Sequence, residues 1–469
     1  MSEPLWTSEE IVAATGGVMA GEAFVATGVS IDTRSLEPGD LFVALTGERD
    51  GHAFIDQALA KGAAGVLASR PGPGARIGVG DTLVGLQALG VAARRRASRA
   101  RRGAVTGSVG KTSITQALAA GLALAGPSHN SIKSYNNHIG VPLTLARMPR
   151  RTERAVFEVG MNHAGEITPL SRLIAPDAVV ITNVGPVHIE NFPDGETGVA
   201  EAKAEIFAGL APGGTAVLNA DNIWFDLLQA RAKSHGARVV SYGAGSDCAG
   251  QLTGFEATED GVVVSARLHG RSLRFPIRQS GPHWGPNSLA VLLMLEALGV
   301  DLNIGLTALA QFAPLAGRGE VRRLAVPGGA VTLIDESYNA NPVSMAAALA
   351  ALGARQDATR RIVVLTDMLE LGPESPRYHA QLAAPITAAG VDLVFCAGAL
   401  MESLWTALPA AQRGGYAAGA GDLASQVAAA LQPGDLVMVK GSNGSRAGSI
   451  VAALAAEFQS DQAGEGAAH

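Results

Sequence analysis

Two cysteines, Cys248 and Cys396, are all that 469 residues contain. That is too few for a disulfide framework, and a reducing, cytosolic compartment is expected. No uncharged apolar run approaches the ~20 residues that span a bilayer, so no integral membrane segment is expected. The opening "MSEPLWTSEEIV" lacks a basic stretch and does not read as a secretory signal. Positive charge is not in excess either: 36 Lys and Arg face 42 Asp and Glu, for a net −6. A global basic field for nucleic acid is thereby excluded. Aromatic residues are only 4%.

Glycine, by contrast, is abundant, 58 of 469 residues, where ~7% is usual. With few aromatics, this suits an α/β protein with many strand-to-helix turns. Hydrophobic residues at 47% and charged residues at 17% exclude a mainly disordered chain. The length exceeds what one core usually organises, and three domains are expected. Residues 1–85 form a small α/β unit with strands at Asp40–Leu45 and Ala64–Ser69 around a helix "FIDQALAKGA". A helical stretch then ends in "RRRASRARRG", with six arginines between Arg94 and Arg102. No aromatics interleave with them, so a solvated helix end at a domain junction is the favoured reading.

Residues 86–314 alternate strands and helices. The strands, Ala104–Thr106, Ala155–Val159, Ala178–Asn183 and Thr215–Asn219, predict a mainly parallel sheet. From Gln251 to Ile277 the pattern switches to an antiparallel insert around "EDG" and "HG" turns. Residues 315–458 predict a third, Rossmann-like unit with strands at Val331–Asp335, Arg361–Asp367, Asp392–Gly398 and Asp435–Gly441. Residues 459–469 are small and polar and are expected to be a disordered tail.

The strongest local signal is "AVTGSVGKTSITQAL". A strand enters the turn Gly107-Ser108-Val109-Gly110, and Lys111, Thr112 and Ser113 open a helix. Glycines let backbone N–H groups turn inward, and the helix N-terminus adds positive potential, which together make a phosphate cradle. Lys111 would reach the β- and γ-phosphates and the Thr112 hydroxyl would ligate Mg²⁺. The longer form of the motif wants glycine where Val105 sits; this loop is the shorter G-x-x-G-K-T.

Other candidates lie at strand ends, where parallel sheets bind ligands. Glu158 interrupts the apolar "AVFEV", where a carboxylate is costly unless it is paired or on a metal. His163 follows it in a loop and reads either as a substrate contact or as solvated. His188 lies just past "AVVITN". Lys203 shares a 3.6-residue stripe with Val199, Ile206 and Leu210, while Glu201 and Glu205 face away. Snorkelling explains such a lysine from periodicity alone; a buried, neutral amine that adds CO₂ to give a metal-binding carbamate is the alternative. His283 and Asn287 start a helix, where they either cap it or read a base. Asp335, Glu336, Tyr338, Asn339 and Asn341 crowd another strand end.

Taken in order, "SIDTRSLEPGDLFVAL", "TGSVGKT", "NNHIGVPLTL", "GMNHAGEI", "NVGPVHIENF", "AEAKAEIF", "GRGE", "SYNANP", "DMLELG" and "VKGSNGSRAG" resemble the Mur ligase family over about residues 25 to 450. These are ATP-dependent amide-forming ligases of cell-wall synthesis, and the pattern is most like members that add D-Ala-D-Ala to UDP-MurNAc-tripeptide. The resemblance implies an N-terminal domain holding the UDP end, a central P-loop ATPase and a C-terminal domain that closes over the site. It implies Mg²⁺ held by Thr112, Glu158, His188 and a carbamylated Lys203, and adenine contacted by Asn287. Arg318 of "GRGE" either stabilises phosphate charge or makes a hinge salt bridge. Asp335 or Glu336 would touch the ribose or the incoming amine, and Ser30, Asp32, Thr33 and Arg34 would lie near the uridine diphosphate. A monomer is expected. The third tripeptide residue, diaminopimelate or lysine, is not legible. Trp284 stands where many relatives have asparagine. A ligase adding the third amino acid, or a nucleotide switch without ligase activity, are the competing functions.

Overall fold

The computed structural model describes residues 4–47, 49–132, 134–258, 261–279, 281–355 and 358–458; the expected tail 459–469 lies outside them. Three helix-covered sheets make an α/β architecture. The first has five strands, ordered Val18–Ala20, Arg76–Gly78, Gly65–Ala68, Asp40–Val43, Gly28–Ser30, parallel except for the first pair. Strands Asp40–Val43 and Gly65–Ala68 are where the apolar runs predict them, and Gly65–Ala68 is buried along its whole length.

Helix Thr82–Arg96 joins this unit to the next, capped by the Asp81 carboxylate, which accepts from Leu83 and Val84 N–H. The boundary expected at residue 85 falls within this helix. Gly90 brings it against helix Gly140–Ala146, where an added Cβ would come 3.1 Å from Leu145 Cβ.

The second sheet has nine strands. Ser128–Asn130, Arg154–Glu158, Arg101–Thr106, Ala178–Ile181, Thr215–Asn219 and Arg238–Gly243 run parallel in that spatial order, and Gly250–Thr258, Gly261–Leu268 and Arg271–Ile277 extend the edge. The last three pair antiparallel, as the alternation predicts. His269 (φ 48) and Gly270 (φ 81) form the two-residue turn at "HG"; residues 259 and 260 of "EDG" lie outside the described residues. Two strands of the parallel part went unread. Ser128–Asn130 is three polar residues and Arg238–Gly243 is only half-buried along most of its length, so neither carries the apolar run that marks a central strand.

The third sheet is ordered Glu320–Val326, Gly329–Glu336, Asp435–Lys440, Arg360–Thr366, Leu393–Ala397, Arg413–Ala417. Only its first pair is antiparallel. Among the described residues no helix is long and apolar enough to cross a membrane.

Candidate active site

Parallel strands expose their carboxyl ends on one edge, and the second and third sheets turn those edges toward one another. Between them lies a cavity of about 470 Å³. The central unit contributes Ser108–Ser113, Glu158, Thr182, His188 and Asn287; the C-terminal unit contributes Arg318, Glu336, Tyr338, Asn341 and Lys440.

The glycine turn has the shape its sequence demands. Gly107 (φ 149) admits no side chain, because an added Cβ would fall 2.0 Å from Thr182 Oγ1. Gly110 (φ 87) occupies the left-handed region at the N-cap of helix Lys111–Ala125. No side chain caps this helix, so its first-turn N–H groups are left for a ligand. Ser108 ties the turn to the next strand exit, donating to Gly185 O at 3.0 Å, and Thr182 Oγ1 donates to Val109 O. Lys111 Nζ folds back onto Gly107 O at 2.7 Å. Burial lowers its pKa, nearby Glu158 raises it and Arg318 lowers it further.

Glu158, 1% exposed, ends strand Arg154–Glu158. Its Oε1 accepts from Asn136 Nδ2 at 2.8 Å, while Oε2 is buried without a partner among the described residues. An unsatisfied buried carboxylate oxygen is expensive unless a cation is to fill the position. Among the described residues no three His, Cys, Asp or Glu side chains cluster. A few protein oxygens, completed by phosphate and water, fit Mg²⁺ better than a caged transition metal.

Thr112 connects the two units. Its hydroxyl lies 3.2 Å from Ser134 Oγ, which is 2.7 Å from the Tyr338 hydroxyl, and Arg318 Nη2 donates to it at 3.0 Å. The Arg318 guanidinium also lies 4.0 Å over the Tyr338 ring. His188 (φ 52) sits past strand Ala178–Ile181, and its Nδ1 is 2.6 Å from Glu370 Oε2 of the C-terminal unit. That contact falls outside hydrogen-bond angles. It holds the Glu370 carboxyl below its usual range, His188 being the main cause.

Lys203 is buried with Val199 and Ile206, as the stripe predicts, while Glu201 faces outward to Arg231 at 2.7 Å. At 2% exposure Lys203 does not snorkel. It does not line the cavity but lies behind it, near Lys111. Burial first, and the Lys111 charge second, hold its pKa well below the usual lysine value.

Asp335 and Glu336 separate. Asp335 does not line the main cavity; its oxygens accept from Ser337 N–H and hydroxyl and from Gly317 N–H. It thereby fixes the turn that carries Arg318. Glu336 does line the cavity, 3.3 Å from Lys440 Nζ. His283 lines it too, half-buried, with its Nδ1 buried and unpartnered among the described residues and its pKa lowered chiefly by desolvation. His163 lies outside, exposed and 2.9 Å from Glu166. Ser30, Asp32, Thr33 and Arg34 also lie outside the cavity, after strand Gly28–Ser30. There Arg34 clamps Asp32 and Thr33 donates to Gln57 at 2.8 Å.

Among the cavity residues not singled out beforehand are Asn136, Ser134, Thr182 and Lys440. For Lys440 a signal existed, since a charge ending the apolar run "DLVMV" repeats the signature of Glu158. The other three are short polar side chains of common loop types and carry no such mark.

With this geometry in view, the chain belongs to the Mur ligase family. The model for the Mur ligase middle domain matches residues 105–295, that for the glutamate ligase domain matches 317–443, and that for the family's catalytic domain matches 25–79. Two relatives are UDP-N-acetylmuramoyl-tripeptide–D-alanyl-D-alanine ligases. That of Synechocystis sp. is 37% identical over 92% of each chain, and that of Escherichia coli K12 is 36% identical over 86% of this chain and 88% of its own. The crystal structure of MurF from Acinetobacter baumannii superposes with a TM-score of 0.85 at 26% identity, covering 97% of this chain and 99% of the other.

Proposed function

We propose that this chain is the ATP-dependent ligase that joins D-alanyl-D-alanine to the terminal carboxylate of UDP-N-acetylmuramoyl-tripeptide, forming an amide for peptidoglycan synthesis in the cytoplasm, and that it acts as a monomer. The relatives at 36–37% identity support the substrates. The observation that carries the chemistry is the facing of two strand-end clusters across one cavity, a phosphate cradle opposite Glu336 and Lys440.

In this reading residues 1–85 hold the uridine diphosphate end through Ser30, Asp32, Thr33 and Arg34, residues 86–314 bind ATP, and residues 315–458 close over it. The N–H groups of Gly107 to Ser113 surround the phosphates, Lys111 turns from Gly107 O to the β- and γ-oxygens, and Asn287 meets the adenine. Thr112 and Glu158 would hold Mg²⁺ on the phosphates, with His188 and a carbamylated Lys203 as a second site; the metal supplies charge neutralisation at the transferring phosphorus. A neutral Lys203 amine is the form that adds CO₂, and its burial favours that form. Arg318, held by Asp335 through Gly317, faces the charge that develops on the γ-phosphoryl group.

A carboxylate resists attack by an amine, so activation comes first. A carboxylate oxygen attacks the γ-phosphorus, the bond to the ADP oxygen breaks, and an acyl phosphate results. The dipeptide amine then adds to its carbonyl, loses a proton, and the C–O bond to phosphate breaks. Glu336 and Lys440, at the far wall, are placed to orient the amine, and closure of the C-terminal unit excludes the water that would hydrolyse the acyl phosphate.

ADP release in a coupled assay tests this directly. With UDP-MurNAc-tripeptide, turnover is expected with D-Ala-D-Ala as the amine. Turnover with meso-diaminopimelate or lysine on UDP-MurNAc-dipeptide, and none with D-Ala-D-Ala, would overturn the proposal, as would absence of any amide product.

A further inference from the structure

The arginine run of the connecting helix ends solvated, as expected, with Arg95 and Arg99 exposed. The fold brings it against a second basic segment about fifty residues further on. Arg96, Arg99 and Arg101 line one wall of a cleft of about 550 Å³, and Arg150, Arg151 and Arg154 line the other. Among the described residues Glu153 is the only acidic one lining the cleft, and it lies 3.3 Å from Arg154. In a chain of net charge −6 this is a strong local reversal of sign.

The cleft is built rather than incidental. Arg96 is fixed by donating to Leu5 O at 2.6 Å and Met148 O at 3.0 Å, and its guanidinium lies 3.8 Å over the Trp6 ring. Its Nε is buried with no acceptor among the described residues. Burial, with the Arg150 charge opposite, pushes the Arg96 pKa down to about 10. Arg150 is paired with Glu10. Arg99 and Arg101 are exposed.

Position separates the cleft from the catalytic cavity. Arg101 begins the strand Arg101–Thr106 whose carboxyl end opens into the glycine turn. The two sites therefore lie at opposite edges of the nine-stranded sheet, roughly 20 Å apart at ~3.3 Å per residue. Among the described residues the cleft lining has no aromatic side chain on which a base could stack, and its one apolar side chain, Ala97, is small and buried. What it offers is planar guanidinium forks in a concavity, the geometry that grips phosphate oxygens bidentately.

We infer that this cleft is a second anion site, for a compact phosphorylated molecule carrying two or more negative charges, such as a diphosphate, distinct from the catalytic phosphate cradle.

Calorimetric titration of the full chain with pyrophosphate tests the assignment, with three comparisons. The chain as it stands should bind at two classes of site. Lys111→Ala, which disables the cradle, should retain the cleft site. Arg99→Ser/Arg101→Ser should retain the cradle site and its ATP turnover, while the cleft site weakens by about tenfold or more, as loss of charge-assisted contacts predicts. Raising ionic strength should weaken the cleft site further. Loss of all pyrophosphate binding in Lys111→Ala would overturn the inference, as would unchanged binding in the double arginine variant. Flotation on phosphatidylglycerol vesicles without any pyrophosphate binding at the cleft would overturn it in favour of a lipid surface.

Discussion

Lys203 concentrates the chemistry of single residues in this molecule. It is 2% exposed, and the charge that acts on it is that of another lysine, Lys111. Its folded-state pKa therefore lies well below the ordinary lysine value of 10.5. Between those two values the unfolded chain binds more protons than the native one, so native stability rises with pH across the interval. In metal-free buffer purged of CO₂, Lys203→Met should be more stable than the natural chain at pH 7 and should lack this rise. Urea unfolding at pH 7 and pH 9.5 checks it; parallel behaviour of both proteins would contradict a neutral buried amine. The same variant should lose ligase turnover by a hundredfold or more, on the order of a removed charge-stabilising group. The stripe of Val199, Lys203 and Ile206 marked this lysine, but periodicity alone favoured snorkelling, and it is the fold that buries it. Its neighbour Lys111 was not legible, because a P-loop lysine and a helix lysine approach each other only in the folded sheet.

At the scale of elements, the strands that position the site were legible as apolar runs, and Thr215–Asn219 falls where it was read. Strands Ser128–Asn130 and Arg413–Ala417 were not, since edge strands made of polar or small residues share composition with loops. The consequential element is the turn Gly317–Arg318, anchored to Asp335 by the Gly317 N–H at 3.2 Å. Asp335 thus works through the turn, which separates its role from that of Glu336, two carboxylates that the sequence leaves indistinguishable. Arg318→Lys keeps a positive charge but loses the fork that reaches Thr112 while stacking on Tyr338. Its kcat should fall about a hundredfold with a smaller change in KM for the UDP substrate, as steady-state kinetics would read. An equal loss for Arg318→Lys in KM alone would assign the residue to substrate binding.

For the whole molecule, function depends on two sheets presenting carboxyl edges to each other. The fold class and the P-loop edge were readable from pattern, because each strand and turn carries its own local signal. The pairings across the units were not. His188 with Glu370, and Thr112 with Arg318, join residues 182 and 206 positions apart, and no local periodicity encodes such a meeting. The arginine cleft is the same case, since each half alone reads as a solvated helix end or loop. The central claim is that the cavity moves a phosphoryl group onto a substrate carboxylate before the amine arrives. Supplying UDP-MurNAc-tripeptide labelled with ¹⁸O in its terminal carboxylate, together with ATP and D-Ala-D-Ala, tests this by mass analysis of the released phosphate. One ¹⁸O atom per phosphate formed is the expected result. Unlabelled phosphate accompanying amide product would contradict it.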